Sequence, residues 1–390
     1  MPRTVLILGA GPGGLRTAEE LRSLLPDEDR IVIVDRRDEQ YLGVSFLGVM
    51  AGWHAPAEVT IHPSVLRERG VYFIQAEIES IDTENQRVYV SGTSAPLGYD
   101  ALIVALGAEL APDQIDGLNT ALESEHGGEY YTRDGAHRLH GLLNRFSGGK
   151  IAILVARLPY KCPPAPYEGA LLIDDLLRTR GLREQVQIDI FTPEPAPIAP
   201  GGPPVSDAVR AILEERDITL HTSATTQSVG PTSRTISFES GGSTSYDLLV
   251  GIPPHVPPAV VRQSKLGEHG WIEIDRDTMR TAIDAVWAIG DVSLLRLANG
   301  MPLPKAAVFA TGEAEAAARD IASSFGYDAP SPMFDGHGRC WFVTASNEAG
   351  YVDGEFLHEP APLVALHDST RANFALLQQD EQDWLNHWKE

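Results

Sequence analysis

Val5-Leu6-Ile7-Leu8-Gly9-Ala10-Gly11-Pro12-Gly13-Gly14 is the stretch that decides the fold class. A short apolar run of buried-strand type passes directly into G-x-G-x-x-G at Gly9, Gly11 and Gly14. Leu15 to Leu25 then reads as a helix, and Ile31 to Val34 as a second strand ending in Asp35. The acid falls at about the 20-residue distance expected of a carboxylate that binds a ribose hydroxyl. An ordinary glycine turn would account for the loop, but not for the strand, helix, second strand and acid around it. In such a βαβ unit the glycines let the backbone approach a pyrophosphate, whose charge is held by free N–H groups and the positive helix end. Gly9, Gly11, Pro12, Gly13, Gly14, Asp35 and Arg36 are therefore assigned to a dinucleotide.

Around this unit, 390 residues are too many for one ordinary core and suggest two or three domains. Hydrophobic residues at 43% and charged residues at 22% are globular proportions. A formal charge of −23 would repel phosphate backbones and anionic lipid over most of the surface, which argues against nucleic-acid binding. The chain starts straight into its first strand with no signal-type segment, and no run approaches the roughly 20 apolar residues of a membrane span. A cytoplasmic protein with at most peripheral contact on the inner face of a membrane is expected. Only two cysteines occur, Cys162 and Cys340, too few for a secreted disulfide scaffold; if they pair, redox catalysis is the better explanation.

Far downstream, Val286 to Ile289 reads as a strand running into Gly290-Asp291, and Tyr99 to Val104 as another running into Ala105-Leu106-Gly107. Leu303-Pro304-Lys305 precedes an Ala-rich helical segment from Ala306 to Phe325, whose N-terminus and Lys305 would bring positive charge to a bound cofactor. Lys150 to Val155 reads as the first strand of a second dinucleotide-type layer, continued by helix Tyr167–Arg180, strand Val186–Phe191, helix Val205–Arg216 and strand Ile218–His221. The Pro-rich stretch Thr192–Pro204 is expected on the surface. The turn after Val155 holds no glycine; bulky side chains and prolines there would block a pyrophosphate and delete N–H donors, so tight pyridine-nucleotide binding is not expected.

With these motifs in this order, the sequence resembles the two-dinucleotide-domain flavoproteins of the glutathione reductase superfamily. That resemblance implies FAD, with Asp291 on its ribityl chain and Gly290, Ala105, Gly107, Lys305 and Ala306 nearby; Leu106 departs from the usual Thr. Tyr160-Lys161-Cys162-Pro163-Pro164-Ala165-Pro166-Tyr167-Glu168 and Gly336-His337-Gly338-Arg339-Cys340 resemble, more narrowly, the sulfide:quinone oxidoreductases and flavocytochrome c sulfide dehydrogenases. This resemblance covers nearly the whole chain. It implies a redox pair Cys162/Cys340, with Glu168 handling protons, that oxidises sulfide or another small sulfur compound and passes two electrons through FAD. The acceptor it implies is a quinone, with a soluble carrier or cytochrome as the alternative; an NAD(P)H-dependent disulfide or persulfide reductase is a third reading. Gln40 to Val44 lacks the cysteine that tethers the flavin in the flavocytochrome branch, so FAD is expected to be non-covalent, and no metal ligand is assigned. Lys161 and the helix start near Tyr167 would lower a cysteine pKa. Tyr160 and Tyr167 would line the site or pack against it, and His126 falls in a surface loop.

The expected architecture is α/β with two Rossmann-like domains: a discontinuous FAD domain of residues 1–112 and 276–325, a second domain of 113–275, and a C-terminal cap of 326–390. A homodimer stays open. Trp384, Leu385 and Trp388 could form a small apolar face, for a membrane or for the protein's own body.

Overall fold

The computed structural model describes residues 2–264, 266–267 and 270–389, so Met1, Lys265, Glu268, His269 and Glu390, which the expected domain limits include, lie outside the described residues. In chain order, β1 (Thr4–Leu8), helix α1 (Pro12–Leu24), β2 (Arg30–Asp35), β3 (Tyr72–Gln75) and β4 (Ala101–Val104) begin one parallel sheet. A second sheet follows with β5 (Gly127–Gly128), helix α2 (Arg133–Arg145), β6 (Gly149–Val155), helix α3 (Ala165–Thr179), β7 (Val186–Phe191), helix α4 (Pro203–Glu215), β8 (Ile218–His221) and β9 (Leu248–Ile252). The chain then returns to the first sheet with β10 (Val286–Ala288) and helix α5 (Ala307–Ser324). It ends in an antiparallel meander, β11 (His337–Ala345), β12 (Glu348–Glu355) and β13 (Leu363–Thr370), and helix α6 (Arg371–His387).

The two parallel sheets share one plan. Their orders, β10-β4-β1-β2-β3 and β5-β9-β6-β7-β8, each put the first strand of a βαβ unit in the middle. Covered faces explain the continuous apolar strands: Val5, Leu6, Ile7 and Leu8 are each at most 1% exposed. Val5 and Ile7 face the core under α1 and α5, while Leu6 and Leu8 face a second core with Ile78, Val88 and Val90. Each such side chain adds about 1.5–3 kcal/mol by leaving water. Small residues let α1 and α5 pack closely; a Cβ on Gly13 would stand 3.3 Å from the Ala310 carbonyl oxygen. The fold is thus α/β with two Rossmann-like sheets.

The Thr192–Pro204 stretch does not lie on the surface throughout. Thr192, Glu194 and Ile198 are buried, because the loop folds back under the turn that carries Cys162. The C-terminal apolar face is turned to the protein's own body: Leu385 and Trp388 are buried, and the Arg69 guanidinium lies 4.9 Å over the Trp388 ring. No helix among the described residues is long and apolar enough to cross a membrane.

Candidate active site

The three glycine-bearing motifs meet at the C-terminal ends of β1, β4 and β10. Gly9 takes φ +103°, and a Cβ on it would stand 2.3 Å from the Ala105 carbonyl oxygen; one on Gly14 would stand 2.0 Å from the Gly9 oxygen. Gly11, by contrast, faces open space, with nothing within 4 Å of its missing Cβ. Pro12 opens α1, whose first turn has neither a side-chain cap nor an acid, so its leading N–H groups are left to an external anion. Asp35 closes the loop by accepting the Ala10 N–H at 2.8 Å and the Arg37 N–H at 2.9 Å. Arg36 is exposed and pairs with Glu109 at 3.5 Å. Gly107 and Gly290 both take positive φ, at +66° and +71°. This cradle fits the phosphates of a dinucleotide such as FAD.

Next to the cradle, Asp291 stays half-buried at the end of β10, and Ala306 caps α5, which has no acid in its first turn. Lys305 is buried, with Nζ donating to the carbonyls of Asp291 at 2.5 Å and Ser293 at 3.1 Å while lying 3.8 Å over the Trp271 ring. Burial lowers its pKa to about 8. The Lys305 carbonyl in turn accepts the Cys162 N–H at 2.7 Å, which ties the thiol-bearing loop to the start of α5.

Cys162 takes φ +58°, a left-handed conformation that costs a non-glycine residue about 1–2 kcal/mol. What holds it there is a buried carboxylate absent from the sequence reading. Glu194 Oε2 accepts hydroxyl hydrogens from Tyr160 at 2.9 Å, Tyr167 at 2.6 Å and Thr192 at 3.0 Å, so the residues on both sides of Cys162 are clamped to one oxygen. Its one sequence signal is an acid directly behind a buried strand. Glu313 was also missed: it is one of two acids on the buried stripe of α5, the other being Asp320, it accepts the Gly290 N–H at 2.5 Å, and burial raises it to about 8.

The structure brings Cys162, Cys340 and Glu168 into one site. Cys340 lies on β11, which packs against α3, and Glu168 in the first turn of α3 accepts the Val343 N–H of β11 at 2.8 Å. Both cysteines are free thiols, and each keeps part of its surface open. Burial raises Glu168 to about 8, so near neutral pH it is mostly protonated and within reach of either state. The thiols depart from the expected low pKa. Burial first, then the Glu168 charge, pushes Cys340 up to about 12 and Cys162 well above its usual range. The Ala165 N–H at the start of α3 opposes this for Cys162 but does not outweigh it. Lys161 does not supply the expected field at the sulfur, because its ammonium lies 6.0 Å over the Tyr131 ring.

Where a second nucleotide fingerprint would stand, the turn after β6 is closed by its own chain. The Ala165 N–H goes to the Cys162 carbonyl, and the Tyr167 and Glu168 N–H groups to that of Pro164. Prolines at 163, 164 and 166 offer no donors. His126 is exposed and bonded to the Asp247 carbonyl, away from these groups.

A profile of the pyridine nucleotide-disulphide oxidoreductases matches residues 3–314. The mitochondrial sulfide:quinone oxidoreductase of Dictyostelium discoideum is 25% identical over 317 residues, 80% of this chain and 68% of the relative. A demethylphylloquinone reductase of Synechocystis is 27% identical over 324 residues, 78% of this chain and 75% of the relative. Among solved structures, the sulfide:quinone oxidoreductase of Aquifex aeolicus aligns with a TM-score of 0.86 at 20% identity, over 99% of this chain and 91% of that one, a likeness of fold.

Proposed function

This chain belongs to the pyridine nucleotide-disulphide oxidoreductases as a flavin-dependent oxidoreductase, and we propose that it oxidises sulfide at Cys162 and Cys340 and delivers the electrons to a quinone. The observation that carries this reading is the convergence of two cysteines from distant segments on one buried acid, Glu168, beside the Asp291–Lys305 end of the dinucleotide cradle. Gly9, Gly11, Gly14, Gly107, Gly290 and Asp291 would hold FAD non-covalently, and bound there it would supply the two-electron acceptor and the relay to quinone. The pair works between the dithiol seen here and a disulfide. Hydrosulfide attacks one sulfur of that disulfide: a new S–S bond forms to it, the old one breaks, and its electron pair leaves on the other cysteine as thiolate. Glu168, poised at about 8, takes the proton that the bound sulfur loses. A second hydrosulfide takes the outer sulfur away as polysulfide while its cysteine leaves as thiolate, Glu168 returns the proton, and the dithiol regains its disulfide by giving up two electrons, for which the bound flavin would be the acceptor. The glycine-free, hydrogen-bonded turn after β6 weighs against NADH as donor.

The test is an anaerobic visible spectrum of the purified protein titrated with sulfide, then with a soluble quinone, with NADH in parallel. Bleaching by sulfide and recovery with quinone is the expected result, and Cys162→Ser should abolish the bleaching. Bleaching by NADH alone would make the protein a reductase of another kind.

A further inference from the structure

His255 lies in no motif, and no step above uses it. It sits where residues 255–256 pair with Glu109–Leu110, a short ladder between the two sheets. Its ring is 3% exposed, and Nδ1 lies 2.9 Å from the Pro253 carbonyl oxygen. A carbonyl can only accept, so Nδ1 carries the hydrogen and Nε2 is left as a bare acceptor. Nε2 is buried and has no partner among the described residues. Burial and the nearby Lys161 and Lys305 ammoniums hold the ring's pKa down to about 3, so it stays neutral at ordinary pH.

Against His255, edge to face at 5.1 Å between ring centroids, stands Tyr131. It too is buried, and its hydroxyl likewise has no partner among the described residues. The Lys161 ammonium lies over the Tyr131 ring, 6.0 Å from its centroid, and its chain neighbour is Cys162. A buried acceptor and a buried donor, each without a partner among the described residues, therefore stand together at the cysteine loop, with a cation beside them. Two neutral polar atoms buried without partners are each costly, and folded proteins seldom leave such atoms unmatched. A ligand that satisfies both atoms beside this cation needs one hydrogen to donate and a negatively charged atom to accept. A fully deprotonated oxyanion such as sulfite would turn a lone pair toward His255 Nε2, and an apolar molecule would leave both atoms unmatched.

We propose that His255, Tyr131 and Lys161 form the seat of hydrosulfide beside Cys162, with the S–H donated to His255 Nε2, the Tyr131 hydroxyl donated to sulfur, and Lys161 balancing its charge. The proposal rests on the sulfide-oxidising reading and adds the residues that select the singly protonated ion.

Sulfide-dependent flavin bleaching is measured in Tyr131→Phe and His255→Leu, with His255→Gln as the variant that restores an acceptor. The sulfide concentration for half-maximal bleaching rate should rise roughly tenfold or more in the first two, the effect of losing a hydrogen bond to a charged group, and recover in the third. Flavin content and spectrum should not change. Calorimetric titration of Cys162→Ser with sulfide gives a second readout without turnover: binding should persist, and disappear when Tyr131→Phe is added. Unchanged sulfide dependence in both variants overturns the seat. Altered flavin content or spectrum with unchanged sulfide dependence also overturns it, and assigns the two atoms to the cofactor. A wild-type flavin that sulfide does not bleach overturns the functional reading alone, and the Cys162→Ser titration then still decides the seat.

Discussion

At Glu168, burial raises the carboxyl from 4.5 to about 8, and this one group links the chemistry to stability. Its folded pKa lies above its unfolded one, so its contribution to stability is full below about pH 4.5 and is lost as pH rises through 8. Over that window the folded protein holds one more proton than the unfolded chain, a slope of up to about 1.4 kcal/mol per pH unit. Glu313, also raised to about 8, adds a slope of the same sign. Glu168→Gln should therefore remove about one of these two protons from the dependence of denaturant unfolding on pH between 5 and 8. The same variant should lose the limb of the sulfide-oxidation profile near pH 8. An unaltered slope in that interval would mean that the carboxyl is ionised in the folded protein. The Cys162 loop makes a second residue-scale case. Glu194→Ala leaves the Tyr167 hydroxyl buried without its acceptor and Tyr160 with only its 3.2 Å bond to the Pro163 carbonyl, at a cost of about 1–3 kcal/mol. The midpoint of thermal unfolding should fall accordingly, and Cys162 should alkylate faster once its left-handed turn is no longer held.

The start of α1 separates glycines that the fold needs from one that the ligand needs. A Cβ on Gly14 would stand 2.0 Å from a backbone oxygen, so Gly14→Ala must displace the β1–α1 turn and destabilise the whole first sheet. A Cβ on Gly11 meets nothing within 4 Å, so Gly11→Ala should fold with near-normal stability yet bind flavin weakly, because the methyl group takes the place of the pyrophosphate. Unfolding midpoints together with the flavin-to-protein absorbance ratio distinguish the two effects. Equal flavin content in Gly11→Ala and the parent protein would put the pyrophosphate elsewhere. Helix α3 carries a comparable division along its length. Its first turn presents Glu168 to β11, while Asp174 further along is fully buried and paired with Arg178 of the same helix, Arg183 of the turn before β7 and Arg216 at the end of α4, which ties α3 to both.

In the whole molecule the C-terminal unit is a bridge, with β11 carrying Cys340 against α3 of the second layer and α6 lying on the first. Glu381 of α6 accepts the Ser45 hydroxyl at 2.7 Å and pairs with His54 at 3.3 Å, and Phe374, Leu377, Leu385 and Trp388 are buried. Trp388→Ala should cost roughly 3 kcal/mol or more, seen as a lower unfolding midpoint and earlier proteolysis within residues 371–389. If neither changes, the helix is not docked through this side chain. Much of this assembly was legible beforehand, because it rests on local interactions. Strand periodicity, the glycines of the first loop, Gly290-Asp291 and the glycine-free turn before Cys162 are patterns of neighbouring residues, and backbone sterics give them their meaning wherever the chain goes. The meeting of Cys340 with Cys162 came from family resemblance and not from any local rule. Burial of Glu194 in a stretch expected on the surface, the high pKa values of both thiols, the pairing of His255 with Tyr131 and the inward turn of Trp388 were decided only by the tertiary structure. Desolvation and the partnering of buried polar atoms are sums over distant segments, and a sequence read one stretch at a time does not contain those sums.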